Sequence, residues 1–332
     1  MKQFPIVKAS GSHYEVGVAI GKTMRDAIRN VLANNQAIFK KDFPVLIQQS
    51  QPFQQQARKY FPQYMDELRE ISDGAGVSFD ELFLSNNREV ADFDPFIVDQ
   101  SHCTIIGIPH KNDYLLGHNE DWDASSLSLL YLLDATINGV KIFGLNYANN
   151  IIGDSIAVNG YGLVQGVNDL WHQDSHLGVP KNFIARAILD CKTHEEAEDI
   201  MRTVPRAAGF NHVLVQEQRL WNIESSAKEY VIEKVQLQKY VHTNHYLTEL
   251  KRIDKGNKES EARYAKVKDL LSGINTVNDI KRVLSDREGP QICRSGTIGS
   301  VIFDMPNKVA HIAYGQPTPE SYVEYSLTHV LD

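Results

Sequence analysis

The sequence predicts a layered α+β domain in which antiparallel sheets face each other and helices cover them from outside. Three observations predict this fold class. The first hundred residues carry apolar side chains at helical spacing, and short β-branched runs separated by turn signals follow. The glycine-rich phosphate loops of parallel nucleotide-binding sheets are missing, because neither GxGxxG after a strand nor GxxxxGK[ST] occurs.

Helices are predicted first along the chain. Apolar residues recur every three or four positions over residues 12–41, which predicts one long helix with a single buried face. A second helix is predicted over 51–75, where Gly76 follows as a stop signal. The Ser-Phe-Asp-Glu run at 78–81 is a capping box and predicts a further short helix.

Hairpins are predicted from Cys103 onward. The runs 103–108 and 114–117 flank a turn, and Asn-Gly pairs at 138–139 and 159–160 each lie between strand-like segments. The remaining predicted elements are a helix over 180–201, strands over 211–216, 220–223 and 230–235, a polar helical segment over 255–285, and strands over 299–304 and 308–314.

Composition excludes several classes of function. A net charge of −8 without a basic run argues against nucleic acid or an anionic membrane as partner. Three cysteines leave at least one thiol unpaired, which is typical of a reducing compartment. No apolar leader and no stretch of roughly 20 apolar residues occurs, so we expect a cytoplasmic protein without a membrane span.

Cys103 stands where the chain changes from helical to β patterning. Taken alone, a cysteine at the start of a strand is most often a small buried hydrophobe. Cleavage between His102 and Cys103 would instead give the thiol a neighbouring base, because a free α-amine titrates near 7.7–8.0. Polar clusters at 117–123, 241–245 and 293–296 each adjoin a predicted strand and favour the functional interpretation.

Together these segments resemble the isopenicillin N acyltransferase-like (acyl-coenzyme A:6-aminopenicillanic acid acyltransferase) family of Ntn hydrolases. The resemblance implies a four-layer αββα sandwich with a helical N-terminal segment. It also implies self-cleavage into a mainly helical chain 1–102, which stays packed in the same domain, and a catalytic chain 103–332. The matching segments are 12–17, 71–76, 103–104, 117–121, 162–168, 178–186, 241–245 and 293–304.

The resemblance also implies roles for single residues. Cys103 matches the nucleophile, and Asp121 matches the carboxylate that holds its freed amine. Arg294 matches the arginine beside the nucleophile. Asn244 matches a donor to the oxyanion, and Asn168 lies where related amidases place another donor.

Weaker matches and one departure complete the predicted site. His102 stands before the nucleophile, where many family members have the glycine that eases formation of the strained scissile peptide. Self-cleavage therefore stays an expectation. The weaker substrate-binding candidates are Asn119, Trp122, Trp171 and Ser226.

The expected function is a self-processing amidohydrolase or acyltransferase that acts on an N-acylated amine or amino acid through a thioester. No cofactor and no metal are expected, although His242 and His245 are three residues apart, because zinc needs three or four ligands. The expected partners are a small-molecule substrate and the chain's own 1–102 fragment. Two alternatives stay open: an uncut, non-catalytic ligand-binding relative, and a Cys–His hydrolase using His102 or His118 as base.

Overall fold

A computed structural model describes residues 2–39, 42–87 and 103–332 of the chain. Ten α-helices lie within these ranges. They are α1 (His13–Thr23), α2 (Arg25–Phe39), α3 (Phe43–Tyr60), α4 (Pro62–Ala75), α5 (Phe79–Asn86), α6 (Lys181–Leu189), α7 (His194–Thr203), α8 (Lys258–Leu270), α9 (Val277–Leu284) and α10 (Thr328–Leu331).

Fourteen strands lie in the same described ranges. They are β1 (Ile6–Gly11), β2 (Thr104–His110), β3 (Asp113–Asp121), β4 (Leu130–Ile137), β5 (Val140–Tyr147), β6 (Ile156–Asn159), β7 (Val164–Asp169), β8 (Phe210–Gln216), β9 (Arg219–Ser225), β10 (Tyr230–Gln236), β11 (Tyr240–His242), β12 (Thr297–Asp304), β13 (Val309–Tyr314) and β14 (Val323–Ser326).

The strands form two sheets. The large sheet has the order β1-β4-β5-β6-β7-β8-β9-β10, and the small sheet has the order β11-β2-β3-β12-β13-β14. Neighbouring strands are antiparallel except β1, which pairs in parallel with β4 from Ile6 opposite Leu132 onward. The N-terminal segment therefore supplies an edge strand to a sheet made otherwise of later residues.

Three cores separate four layers. The first packs helices α1–α7 on the large sheet, with Leu68 and Leu133 among its members. The second fills the space between the sheets, where Ile105 of β2 and Val164 of β7 lie. The third packs the outer face of the small sheet on α8 and α9, the latter through Ile280. The layered αββα arrangement expected from the sequence is confirmed.

The predicted N-terminal helices exist but are interrupted. The segment 12–41 forms α1 and α2, because Met24 leaves the helical conformation at φ −100° and ψ 17°. The segment 51–75 belongs to α3 and α4, which are separated at Phe61, where φ is −137° and ψ is 62°; this residue precedes Pro62, which disfavours the helical conformation before it. Gly76 ends α4 at φ 66° and ψ 48°, as predicted.

Capping in this region differs from the prediction. Ser78 precedes α5, but its side chain makes no capping hydrogen bond. A complete capping box instead opens α1, where the Ser12 hydroxyl accepts from the Glu15 amide and the Glu15 carboxylate accepts from the Ser12 amide. Strand β1 was not predicted, and residues 40–41 and 88–102 lie outside the described residues.

The predicted hairpins are confirmed. Asn138 and Gly139 turn β4 into β5 with φ values of 47° and 87°, as a tight turn requires. The second Asn-Gly pair opens a wider loop, in which the Asn159 side chain accepts from the amides of Tyr161 and Leu163. The later helical segments divide into α6 with α7 and α8 with α9. None of the described helices is both long and apolar enough to cross a bilayer.

Candidate active site

The Cys103 side chain lies between the two sheets. Thr104 pairs with Asn119 across β2 and β3, so the neighbouring Cys103 stands opposite Glu120. Because side chains alternate along a strand, Cys103 shares the inward face with Ile105. Its thiol donates to Oε1 of Glu120 at 3.8 Å and to the backbone oxygen of Asp121 at 3.9 Å. The residue is 5% exposed.

Glu120 is held by side chains from both sheets. The Tyr147 hydroxyl, at the end of β5, donates to Oε1 at 2.7 Å. The Ser155 hydroxyl, just before β6, donates to Oε2, and His118 Nε2 lies 3.0 Å from the same oxygen. Glu120 was not among the predicted site residues. The segment 117–123 holds several acidic residues, and a single sequence does not show which of them faces Cys103.

Asp121 lies on the other face of β3, together with Asn119 and Thr104. It is almost fully buried, and its carboxylate makes no close hydrogen bond among the described residues. Burial raises the pKa of Asp121 to about 6, although Arg263, the nearby Thr297 hydroxyl and Arg294 oppose the shift. An unpaired buried carboxylate is costly unless a cation or donor joins it. A cationic group placed near Cys103 would meet that need.

Arg263 of α8 reaches Cys103 from the outer layer. Its Nη2 donates to the Cys103 carbonyl oxygen at 3.3 Å and to Asn244 Oδ1 at 2.9 Å. Burial lowers the pKa of Arg263 to about 10, against the attraction of Asp121. Sequence reasoning missed this residue because a polar helix is normally solvated, and a buried arginine within it leaves no pattern.

Arg294 and Arg263 differ in their contacts. Arg263 is the arginine hydrogen-bonded to Cys103, whereas Arg294 Nη2 pairs with Glu259 of α8 at 2.7 Å. The reason is local, since the backbone amide of Arg294 donates to Thr297 Oγ1 in the turn before β12 and its side chain extends toward α8. Arg294 still acts on the site at longer range, because it lowers the pKa of Asp121.

The two predicted oxyanion donors differ in their present contacts. Asn168 of β7 is fully buried, and its amide nitrogen and oxygen both lack hydrogen-bond partners among the described residues. It shares a strand face with Val164, which belongs to the core between the sheets. Asn244 already donates through Nδ2 to the Asp169 carbonyl oxygen at 3.1 Å. The side-chain amide of Asn168 is therefore available to donate a hydrogen bond to a further acceptor.

The weaker substrate-binding candidates have structural contacts. Asn119 donates to the carbonyl oxygens of Leu284 and Ile292, and Ser226 donates to Asp174 at 2.7 Å. These bonds engage the donor groups of Asn119 and Ser226 within the protein framework. Trp122 is half-buried beside the core between the sheets, while Trp171 is half-buried with an indole nitrogen that has no described partner.

Metal-ligating side chains meet in one described cluster. Ligand atoms of Cys103, His118 and Glu120 lie within 4.8 Å of one another. They already bond to each other and to Tyr147 and Ser155, so we interpret the cluster as a hydrogen-bonded network. The histidines weighed for zinc have other partners: His242 lies 2.9 Å from Glu224, and His245 lies 2.8 Å from Ser260.

The surroundings of Cys103 favour the protonated thiol. Burial raises the pKa of Cys103 well above its usual range, the carboxylates of Glu120 and Asp121 raise it further, and Arg263 opposes them. A thiol is a strong nucleophile only as the thiolate. Cys103 therefore needs a proton acceptor in contact with it. Cys191 and Cys293 are also buried, and neither thiol contacts a carboxylate in the way that Cys103 contacts Glu120, as expected of packing residues.

A family model and named relatives match this chain. The model described as acyl-coenzyme A:6-aminopenicillanic acid acyl-transferase matches residues 109–319, beginning just after Cys103. The chain belongs to this family. A beta-alanyl-dopamine/carcinine hydrolase of Drosophila melanogaster is 28% identical over 66% of this chain. The chain spans 64% of that relative's length.

Another relative aligns over more of the chain. The 40 kDa form of the acyl-coenzyme A:6-aminopenicillanic-acid-acyltransferase of Emericella nidulans is 23% identical over 94% of this chain and 92% of its own length.

Two solved structures also align with the chain. One is an N-acylethanolamine-hydrolyzing acid amidase ortholog of Caenorhabditis elegans, with a TM-score of 0.49, 15% identity, and coverage of 61% of this chain and 93% of that one. The other is a variant of the conjugated bile acid hydrolase of Clostridium perfringens, with a TM-score of 0.49, 9% identity, and coverage of 68% of this chain and 93% of that one.

Proposed function

We propose that this protein is a self-processing amidohydrolase or acyltransferase with an N-terminal cysteine nucleophile. The chain is cut between His102 and Cys103, and the two pieces, 1–102 and 103–332, stay packed as one domain. The Cys103 thiol then attacks the acyl carbonyl of a substrate and forms a thioester, with the new α-amine as base. Water or an amine releases the acyl group.

The observation that carries the proposal is the unpaired carboxylate of Asp121. This buried group lies beside Cys103 and makes no close hydrogen bond among the described residues, and Arg263, Thr297 and Arg294 offset its burial only in part. Cleavage creates an amine at Cys103, which becomes an ammonium group when it takes the thiol proton and would then supply the missing charge and donors. The amide of Asn168, which likewise has no described partner, is assigned to the oxyanion, with Asn244 as a second donor. Such a donor is typically worth about 2.7–4 kcal/mol of barrier.

The two arginines are assigned different tasks. Arg263, bonded to the Cys103 carbonyl oxygen and to Asn244, positions the nucleophile against the oxyanion donors. Arg294, which is paired with Glu259, acts at longer range by moderating the negative charge of Asp121. Neither assignment requires a cofactor.

The intact mass of the purified full chain tests this proposal. We expect two fragments of 102 and 230 residues, which together account for the 332 of the chain. The Cys103→Ala variant should give only the uncut mass, because it lacks the attacking sulfur. As a matched control, Cys293→Ala removes another buried thiol and should leave cleavage unchanged. An uncut wild-type chain without acyl transfer to or from Cys103 would favour the non-catalytic ligand-binding alternative.

The proposed substrates are small N-acylated amines or amino acids. The named relatives act on beta-alanyl-dopamine and carcinine, or on 6-aminopenicillanic acid, as their names state. A panel of beta-alanyl-dopamine, carcinine and an N-acylated 6-aminopenicillanic acid, with release of free amine as readout, tests the substrate class. Turnover by the uncut chain that disappears in His118→Gln would instead support the Cys–His alternative.

A further inference from the structure

The self-cleavage step requires a base other than the one used afterwards. Until the bond before Cys103 is cut, the nitrogen of this residue belongs to a peptide and accepts no proton. The thiol must nevertheless lose its proton as it attacks the carbonyl carbon of residue 102. Burial and nearby carboxylates keep that thiol protonated, since they raise its pKa. The inference below rests on the proposed function, because it concerns the same cleavage.

Glu120 is the described carboxylate in contact with the thiol. The sulfur lies 3.8 Å from Glu120 Oε1, and its other hydrogen-bond contact is a backbone oxygen, which is not a base. Asp121 lies on the opposite face of β3, toward Arg263. His118 Nε2 is directed at Glu120 Oε2, 3.0 Å away, so His118 acts on the thiol through Glu120.

The surroundings of Glu120 fix the direction of its oxygens. Tyr147 holds Oε1 on the side of the thiol, and Ser155 and His118 hold Oε2 on the other side. Three partners from two sheets thus leave the carboxylate little freedom to turn. A general base is effective when it is held within reach of the proton that it accepts.

We propose that Glu120 is the catalytic base of self-cleavage in the uncut chain. Glu120 takes the thiol proton as the bond forms between Cys103 Sγ and the carbonyl carbon of residue 102. The proton passes to the Cys103 nitrogen as the carbon–nitrogen bond breaks, which leaves a thioester and a free amine. Water then hydrolyses the thioester, giving a carboxyl terminus at residue 102 and restoring the thiol.

The rate of self-cleavage in Glu120→Gln tests the proposal. Intact mass is followed over time in full-length wild-type, Glu120→Gln and Glu120→Asp chains. We expect Glu120→Gln to slow cleavage at least about 100-fold, the usual minimum contribution of a general base. Glu120→Asp keeps a carboxylate but draws it back from the thiol, so it should fall between the other two.

A matched control separates chemistry from folding. Glu224 is also a fully buried glutamate bonded to a histidine and a hydroxyl, His242 and Thr248, but it does not touch Cys103. Glu224→Gln should therefore keep the wild-type cleavage rate. Thermal unfolding checks that each variant is folded. If Glu120→Gln does not fold, the cleavage rate of Glu120→Asp tests the role of Glu120.

Hydroxylamine identifies the step that is lost. It cleaves thioesters directly, so it would restore fragmentation in a variant that is slow only in thioester hydrolysis. Glu120→Gln should stay uncut with hydroxylamine, because the thioester does not form. Cleavage of folded Glu120→Gln at the wild-type rate overturns this inference and leaves the proposed function standing. A wild-type chain that stays uncut overturns both.

Discussion

At the scale of single residues, Asp121 should destabilise the uncut chain. Its pKa lies at about 6 when folded against an ordinary value of 3.8, so the folded state holds its proton more tightly. Stability is therefore lost as the pH rises from about 4 to about 6, and the loss is complete above that range. A difference of two pKa units corresponds to about 3 kcal/mol.

Asp121→Asn in the Cys103→Ala background measures this cost. At pH 7.5 we expect the free energy of unfolding to rise by about 3 kcal/mol over Cys103→Ala, because the amide mimics the protonated acid. The gain should disappear below about pH 4. Asp123→Asn is the matched control, since this half-buried carboxylate is already bonded to Ser125 and should show no gain. An unchanged or lower stability of Asp121→Asn would mean that the carboxylate is already compensated.

The sequence indicated which segments meet at the candidate site, but not the contacts within it. Cys103 and Asp121 were predicted site residues, and the Cys103 thiol contacts the backbone oxygen of Asp121. Glu120 and Arg263 were not predicted, because a buried charge is defined by neighbours that are distant along the chain. Arg263 meets Cys103 across 160 positions, a separation that no local pattern records.

At the scale of elements, a buried charge cluster joins the N-terminal helices to α6. Arg186 of α6 is fully buried, with its Nη2 3.2 Å from Glu67 of α4 and its Nη1 2.6 Å from Asp190. His13 of α1 bonds to the same Glu67 at 2.7 Å. The cluster therefore ties elements from both sides of the proposed cut.

Arg186→Met should lower the free energy of unfolding by about 3–5 kcal/mol, because it leaves the buried Glu67 charge without its arginine partner. Adding Glu67→Gln to Arg186→Met should recover part of this loss, since the second change removes that charge. Denaturant unfolding of the three variants measures both effects.

Arg202→Met serves as the control for this series. Arg202 pairs with Asp199 on the surface, with side chains 62% and 65% exposed, so its removal should cost less than about 1 kcal/mol. A double variant no more stable than Arg186→Met would show that the uncompensated carboxylate is not the source of the loss.

Helices and strands were predictable where the sequence pattern that defines them lies within a short segment of the chain. The Asn138-Gly139 pair fixes a hairpin because the turn and both strands lie within a short segment. Strand β1 was missed because its partner β4 lies more than a hundred residues later, and six residues without clear alternation do not indicate a strand. The breaks at Met24 and before Pro62 divide helices whose apolar patterns continue across them.

At the scale of the whole molecule, the two proposed fragments share one fold. The segment before the cut supplies β1 to the large sheet and helices α1–α5 to its outer core. Their separation would expose that core and break the Arg186 cluster. We therefore expect the fragments of the cut protein to elute together in size-exclusion chromatography at pH 7.5 and to unfold in a single transition.

Acid should weaken this association through Glu67. Burial alone would raise the pKa of Glu67, but Arg186 and His13 outweigh it, so the folded value lies below the usual 4.5. The cluster's contribution is thus present above pH 4.5 and is lost as the pH falls through the lower folded value. Glu67→Gln should have less stability at pH 7.5 but a flatter decline toward pH 3. Fragments that separate at pH 7.5 without denaturant would contradict a single shared domain, and an equally steep decline in Glu67→Gln would place the acid sensitivity elsewhere.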